Sequence, residues 1–214
     1  MTHADRTHDV LATTGVHIGG TDFDRQLNLE HVMPLLGHRH IGPQGRPVPS
    51  SLFMDLSTWH LIHWQYQPRV ISHAQGLRSN YTDAQLHARL MRVLQERHGH
   101  HIAHEVEQAK IRCSQQDQDT QMDLSFLEPA LKADLQAHDM RDHLAPLLTQ
   151  AIACARACVQ AAGLRDSALD AIYLTGGSSA LRPFQRALQA AFADVPLVEG
   201  DLFGGVASGL VYSR

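Results

Sequence analysis

Three cysteines in 214 residues are too few, and odd in number, for a disulfide framework. Cys154 and Cys158 stand four apart on an expected helix and Cys113 lies far away in sequence, which fits reduced thiols in a cytoplasm. Basic charge is also in short supply. A net charge of -4 and a sequence pI near 6.4 provide no positive field for nucleic acid. No apolar run approaches the length of a bilayer span, and the opening MTHADRTHDV lacks the basic-then-apolar layout of a signal peptide. Nucleic-acid and membrane partners are therefore not expected, and a cytoplasmic location is. The chain also has no Walker A loop, GxSxG elbow or Ser/His/Asp motif. Its 43% hydrophobic content suits one globular domain or two small ones.

Histidine is abundant, with 16 residues that include His38 and His40, His60 and His63, and the cluster His98, His100, His101 and His104. On a helix His100 or His101 shares a face with His104, as two zinc ligands would. HHIAHE has no glutamate base between its ligands and no paired cysteines beside it. A solvated histidine-rich surface without a metal site is the expectation.

Residues 10–20, VLATTGVHIGG, begin as a strand and break at glycine. A helix capped by Thr21 or Asp22 should follow, with Phe23, Leu27, Leu29, Val32 and Leu36 as its apolar side and Gly37 as its end. GHRHIGPQGRPVPS is dense in Gly and Pro and reads as a connection into another module. SLFMDLSTWHLIHWQYQ has helical spacing, with Trp59 and Trp64 expected in the core. Residues 82–112 carry the longest helical pattern, broken near Gly99. Met122, Leu124 and Phe126 alternate, as do Leu131, Ala133 and Leu135, about a Glu128–Pro129 turn, which describes a hairpin. A helix follows with Pro146 in its first turn, ending near Gly163.

Residues 171–184, AIYLTGGSSALRPF, place two glycines between an expected strand and an expected helix. Such a turn exposes backbone N–H groups at the positive end of a helix dipole, and glycine lets a ligand approach the main chain. A tight connection capped by Ser178 or Ser179 and a phosphate or nucleoside cradle both fit. PLVEG then reads as a short strand, Asp201 as an N-cap, and FGGVASGLVYS as a helix of small residues. The order of elements describes an α/β core interrupted by a smaller α+β piece.

VLATTGVHIGGTDFD, EVEQAKIRCS, AIYLTGGSSALRPFQ and EGDLFGGVASGL, in this order, resemble the ATPase domain of the seventy-kilodalton heat-shock chaperones (DnaK-like), in particular the YegD-type branch. The resemblance runs through essentially the whole chain and corresponds to the second lobe only. It implies an α/β, actin-like (ribonuclease H-like) ATPase lobe with an inserted smaller α+β subdomain. Residues 1–36 plus 139–214 would form the discontinuous core, and 37–138 the insertion. The implied ligand is ATP or ADP, with magnesium in the complete domain. The implied parent is a stress-response chaperone that engages an exchange factor or co-chaperone and client peptide.

Carried over by motif, the adenosine segment falls on Glu107, Lys110 and Ser114. A carboxylate and a hydroxyl suit ribose hydroxyls or a base edge, and a lysine suits ribose or phosphate; read alone, Glu107 and Lys110 are an i,i+3 pair on a wet helix face. The glycine turn falls on Gly176, Gly177 and Ser178. Asp201 matches an aspartate of the last motif and either caps a helix or touches the ligand. Two family arginines that stack on adenine are replaced here by Ile111 and Ala180, with Arg112 or Arg182 near enough to reach the base. No DxGT or DxGGGT loop occurs, so the chain reads as an excised or truncated frame with no catalytic residue of its own and no expected ATP hydrolysis. Its unpaired first strand would favour self-association. The competing class is a degenerate protein-interaction module that docks an exchange factor or partner without nucleotide.

Overall fold

The computed structural model describes residues 9–200. Contacts divide the chain into two units, Gly19–Pro146 and the described parts of Met1–Ile18 with Leu147–Arg214. Residues 19–36, expected in the core of the terminal unit, group instead with the segment that follows them.

In the Gly19–Pro146 unit, α1 (Gly20–Leu27) starts where the Gly19 N–H donates to Asp22 Oδ2 at 2.8 Å. Asp22 thus closes the first turn from the third helical position, where its charge also suits the helix dipole; neither Thr21 nor Asp22 is the cap. The helix continues as a π-helical turn, Asn28–Val32, and a 3₁₀ turn, Met33–Leu36, ending at Gly37. Phe23, Leu27, Leu29, Val32 and Leu36 are all buried, as their spacing predicts.

Next come α2 (Ser51–Leu56), a 3₁₀ segment (Trp59–Tyr66), α3 (Pro68–Gly76), α4 (Ala84–Gln95) and α5 (Gly99–Gln116). The Asp83 carboxylate accepts from the Gln85 N–H at 2.8 Å and caps α4. Trp59 and Trp64 are not core residues: each is 53% exposed. A period of three rather than 3.6 turns Ile62 and Gln65 inward and leaves Trp64 facing out. The helical pattern of 82–112 breaks at Glu96–His98, where Arg97 takes φ 61°. Gly99 opens α5 because its N–H donates to the Tyr66 hydroxyl at 3.0 Å, and a Cβ there would meet that oxygen at 2.7 Å.

Strands β1 (Thr120–Asp123) and β2 (Lys132–Leu135) pair antiparallel, Thr120 opposite Leu135 and Asp123 opposite Lys132. The expected hairpin forms with its first strand two residues earlier. Phe126 lies past that strand, and its ring stacks on His101 with centroids 3.8 Å apart.

A single helix, α6 (Ala137–Ala161), continues from this unit into the other. Asp119 Oδ1 accepts from the Ala137 N–H at 2.9 Å, which starts the helix early and places Pro146 in its interior, not its first turn. The α6 helix is also long and apolar enough to cross a membrane, with a mean hydropathy of 1.2 over an 18-residue window. That corrects the absence of any such run. Its apolarity is spread over Ala, Cys, Leu and Ile, and Ile152, Ala155 and Val159 pack on a protein core.

That core belongs to the terminal unit. There β3 (Ile172–Leu174) pairs parallel with β4 (Leu197–Glu199), and α7 (Arg182–Ala191) makes the connection between them. Leu174, Leu188, Phe192 and Val195 are buried together. Residues 9–18 form no strand. Thr14 Oγ1 donates to the Cys154 carbonyl at 3.2 Å and Cys158 Sγ donates to the Ala12 carbonyl at 3.7 Å, so this segment bonds to α6 and not to a ladder partner. Asp201 and the helix expected after it lie outside the described residues.

Candidate functional site

Helix α5 buries Ile102, Val106, Ala109 and Cys113. Lys110 and Ser114 follow these residues inward and are only 5% and 3% exposed, whereas Glu107 stays on the surface. Glu107 and Lys110 are therefore not a solvated pair. The Lys110 ammonium lies 2.7 Å from Asp24 Oδ1 of α1. Burial holds the Asp24 carboxyl above its usual range, Lys110 opposes that rise, and the charge of Glu107 adds to it. An ion pair so enclosed is costly to break from one side, because the remaining charge stays buried without a counterion.

Beside this pair is a cleft of about 160 Å³, walled by Thr21, Asp24 and Asn28 of α1 and its π turn, Ser57 and Trp59 after α2, and Ala103 and Glu107 of α5. Neither amide atom of Asn28 has a hydrogen-bond partner, and neither has Ser57 Oγ, although Asn28 is 1% and Ser57 6% exposed. Each such group costs about 1–3 kcal/mol when desolvated and unsatisfied. Folding retains three of them at one cleft. His100 packs edge-on against the Trp59 indole, centroids 4.8 Å apart, which fixes the ring at the cleft wall.

The glycine turn lies in the terminal unit. Gly176 takes φ 83°, a conformation open to glycine and strained for other residues, with nothing within 4 Å of where a Cβ would stand. Gly177–Ala180 form a 3₁₀ turn and α7 begins only at Arg182, after Leu181. Ser178 and Ser179 are thus not its caps. Ser179 is buried and its Oγ donates to the Gly176 carbonyl at 2.7 Å. Gln185 Nε2 ties the turn to β4 through the Ser179 carbonyl at 3.0 Å and Glu199 Oε1 at 2.9 Å.

The structure therefore brings Glu107, Lys110 and Ser114 onto one helix, places Gly176, Gly177 and Ser178 in the other unit, and leaves Asp201 outside the described residues. Arg112 donates to the Gln121 carbonyl at 3.2 Å and to Thr120 Oγ1 at 3.4 Å, so β1 occupies the guanidinium expected to reach a base. Asp24, Asn28, Ser57 and Trp59 escape motif reading. Their signal was an i,i+4 polar pair, Asp24 and Asn28, set directly beside the apolar positions Phe23 and Leu27.

Several histidine rings serve packing: His98 and His101 lie on Phe126, His100 on Trp59, and His31 Nε2 sits 3.2 Å from His143 Nδ1. Among the described residues, no three His, Cys, Asp or Glu side chains converge as a metal ion would need. No family model matches the chain.

Proposed function

We propose that this chain is the adenosine-facing lobe of an actin-like, chaperone-type ATPase and binds ATP or ADP through α5. The observation that carries the reading is Glu107, part of the EVEQAKIRCS segment, on the wall of a cleft whose Asn28 and Ser57 groups are buried and unpartnered. A carboxylate at such a rim accepts from vicinal ribose hydroxyls. Lys110, held by Asp24, sets the local charge and positions α5 against α1. The strand–glycine turn–helix–strand order of β3, Gly176–Ala180, α7 and β4 also agrees with this reading.

Calorimetry and thermal melting with ATP, ADP and adenosine test it. Binding should raise the melting temperature by mass action; no heat and no shift at millimolar nucleotide overturns the proposal. Phosphate release should stay at background, because phosphoryl transfer depends on positioning and cationic stabilisation and the chain lacks the family's phosphate loops. A second reading, a docking module without nucleotide, is favoured by the exposed Met54, Trp59 and Trp64. It predicts silent calorimetry with a folded protein.

A further inference from the structure

We infer that Asn28, Ser57 and Trp59 make the cleft a reader of the purine base, with the ring against the Trp59 indole and its donor–acceptor edge on Asn28. The inference rests on the nucleotide reading and names residues outside its motif. A carboxamide offers a donor and an acceptor side by side, the pattern that pairs bidentately with adenine, whose amino group donates and whose adjacent ring nitrogen accepts. In Asn28 both of these atoms are unpartnered. It lines the cleft with only 1% of its surface exposed, so a ring edge pairs with it once the carboxamide turns toward the opening.

The backbone carries an independent sign. Asn28 is the first residue of the π-helical turn Asn28–Val32, and π turns inside helices occur frequently at functional sites. Trp59 supplies the aromatic face. It is 53% exposed at the cleft wall and held edge-on by His100, and it provides stacking in a chain with Ile111 and Ala180 where its chaperone-like motifs would place arginines. At about 160 Å³ the cleft is smaller than the ~300–1,000 Å³ of sites that enclose whole drug-sized ligands. It suits one ring system, with Glu107 at the rim for the sugar and the phosphates outside.

The test uses the full chain with Trp64→Phe, which leaves Trp59 as the sole tryptophan. Adenosine should change its fluorescence saturably, and purine riboside, which lacks the 6-amino group, should bind more weakly. In calorimetry, Trp59→Ala should weaken adenosine about tenfold or more, and Asn28→Ala should abolish the preference for adenosine over purine riboside. Should Asn28→Ala not fold by circular dichroism, exposed Trp59 and the riboside comparison on the native sequence still decide. Adenosine binding that is unchanged in Trp59→Ala, or equal to that of purine riboside, overturns this inference and leaves the nucleotide reading standing. No adenosine or ADP binding by the native chain overturns both.

Discussion

The two units differ in how much of each is interior. Gly19–Pro146 buries Phe53, Leu27, Met33, Leu36, Leu90, Leu94 and Ile102 almost completely, and its helices cross-brace one another. The terminal unit relies on a cluster of four buried residues, Leu174, Leu188, Phe192 and Val195, around two three-residue strands. Costly chemistry follows the better-supported scaffold: the enclosed Lys110–Asp24 pair and the unpartnered Asn28 and Ser57 all belong to the helical unit, where packing can hold them. The glycine turn of the terminal unit contributes backbone and needs no buried charge.

The largest effect should come from removing one aromatic ring from each core. Phe53→Ala and Phe192→Ala each delete a large buried side chain, a change that costs about 3–5 kcal/mol. In the helical unit that loss is shared by a large core and protection of the α5 amides should weaken. In the terminal unit Phe192→Ala should eliminate hydrogen-exchange protection of Ile172–Leu174 while Ile102–Cys113 amides remain slow. Equal loss in both units would show one cooperative structure and erase the contrast.

Next in size is Lys110→Met, which leaves the Asp24 carboxylate enclosed without its cation; truncating one partner of a buried pair costs about 3–5 kcal/mol, and this pair, partly open on the Asp24 side, belongs at the low end. Because the folded Asp24 pKa is raised, the folded state binds more protons than the unfolded one. The contribution of Asp24 to stability therefore falls as pH rises from the ordinary aspartate value through the raised one. Urea midpoints of Lys110→Met should thus approach those of the native chain as pH is lowered through that range. A deficit independent of pH would mean that Lys110 acts through packing alone.

Gly176→Ala tests the thinner unit at its turn. With φ 83° and ψ 151°, a backbone region almost confined to glycine, and open space around the Cβ position, the penalty is conformational strain without a clash, about 1–3 kcal/mol. The loss should appear in exchange of the terminal unit and not in α5. Smallest is Glu30→Gln. The carboxylate holds Arg39 at 2.6 and 2.8 Å, but the arginine is 60% exposed, so the change should cost under ~1 kcal/mol and disappear in high salt.

Legibility in the sequence followed the kind of signal. The side of α1, the hairpin and the β3 strand were readable because each has a regular apolar period ending in Gly or in Glu-Pro. Trp64 escapes the 3.6-residue period because the 3₁₀ segment repeats every three residues and turns Ile62 and Gln65 inward, whereas Trp59, in register with those two, is exposed beside His100 and no local spacing accounts for it. Pro146 misled because the start of α6 is set by Asp119, eighteen residues before Ala137, a tertiary cap that local spacing does not show. At the site, motif spacing pointed to α5. The partner of Lys110 and the orphaned amide of Asn28 arise from helices brought together across some eighty residues of chain, and no window of sequence contains both.

The three thiols make a ready-made chemical clock. Cys113 is fully buried and its burial pushes the thiol up to about 11, so a maleimide or disulfide reagent meets an inert group there until the helical unit opens. Cys154 and Cys158 are only half-covered, and their sulfurs face Thr14 and Ala12. Two labels added rapidly would therefore report on the leading segment over α6, and a third, arriving later, would time the unfolding of the other unit. Mass spectrometry of one unmodified sample would read both processes without any engineered probe.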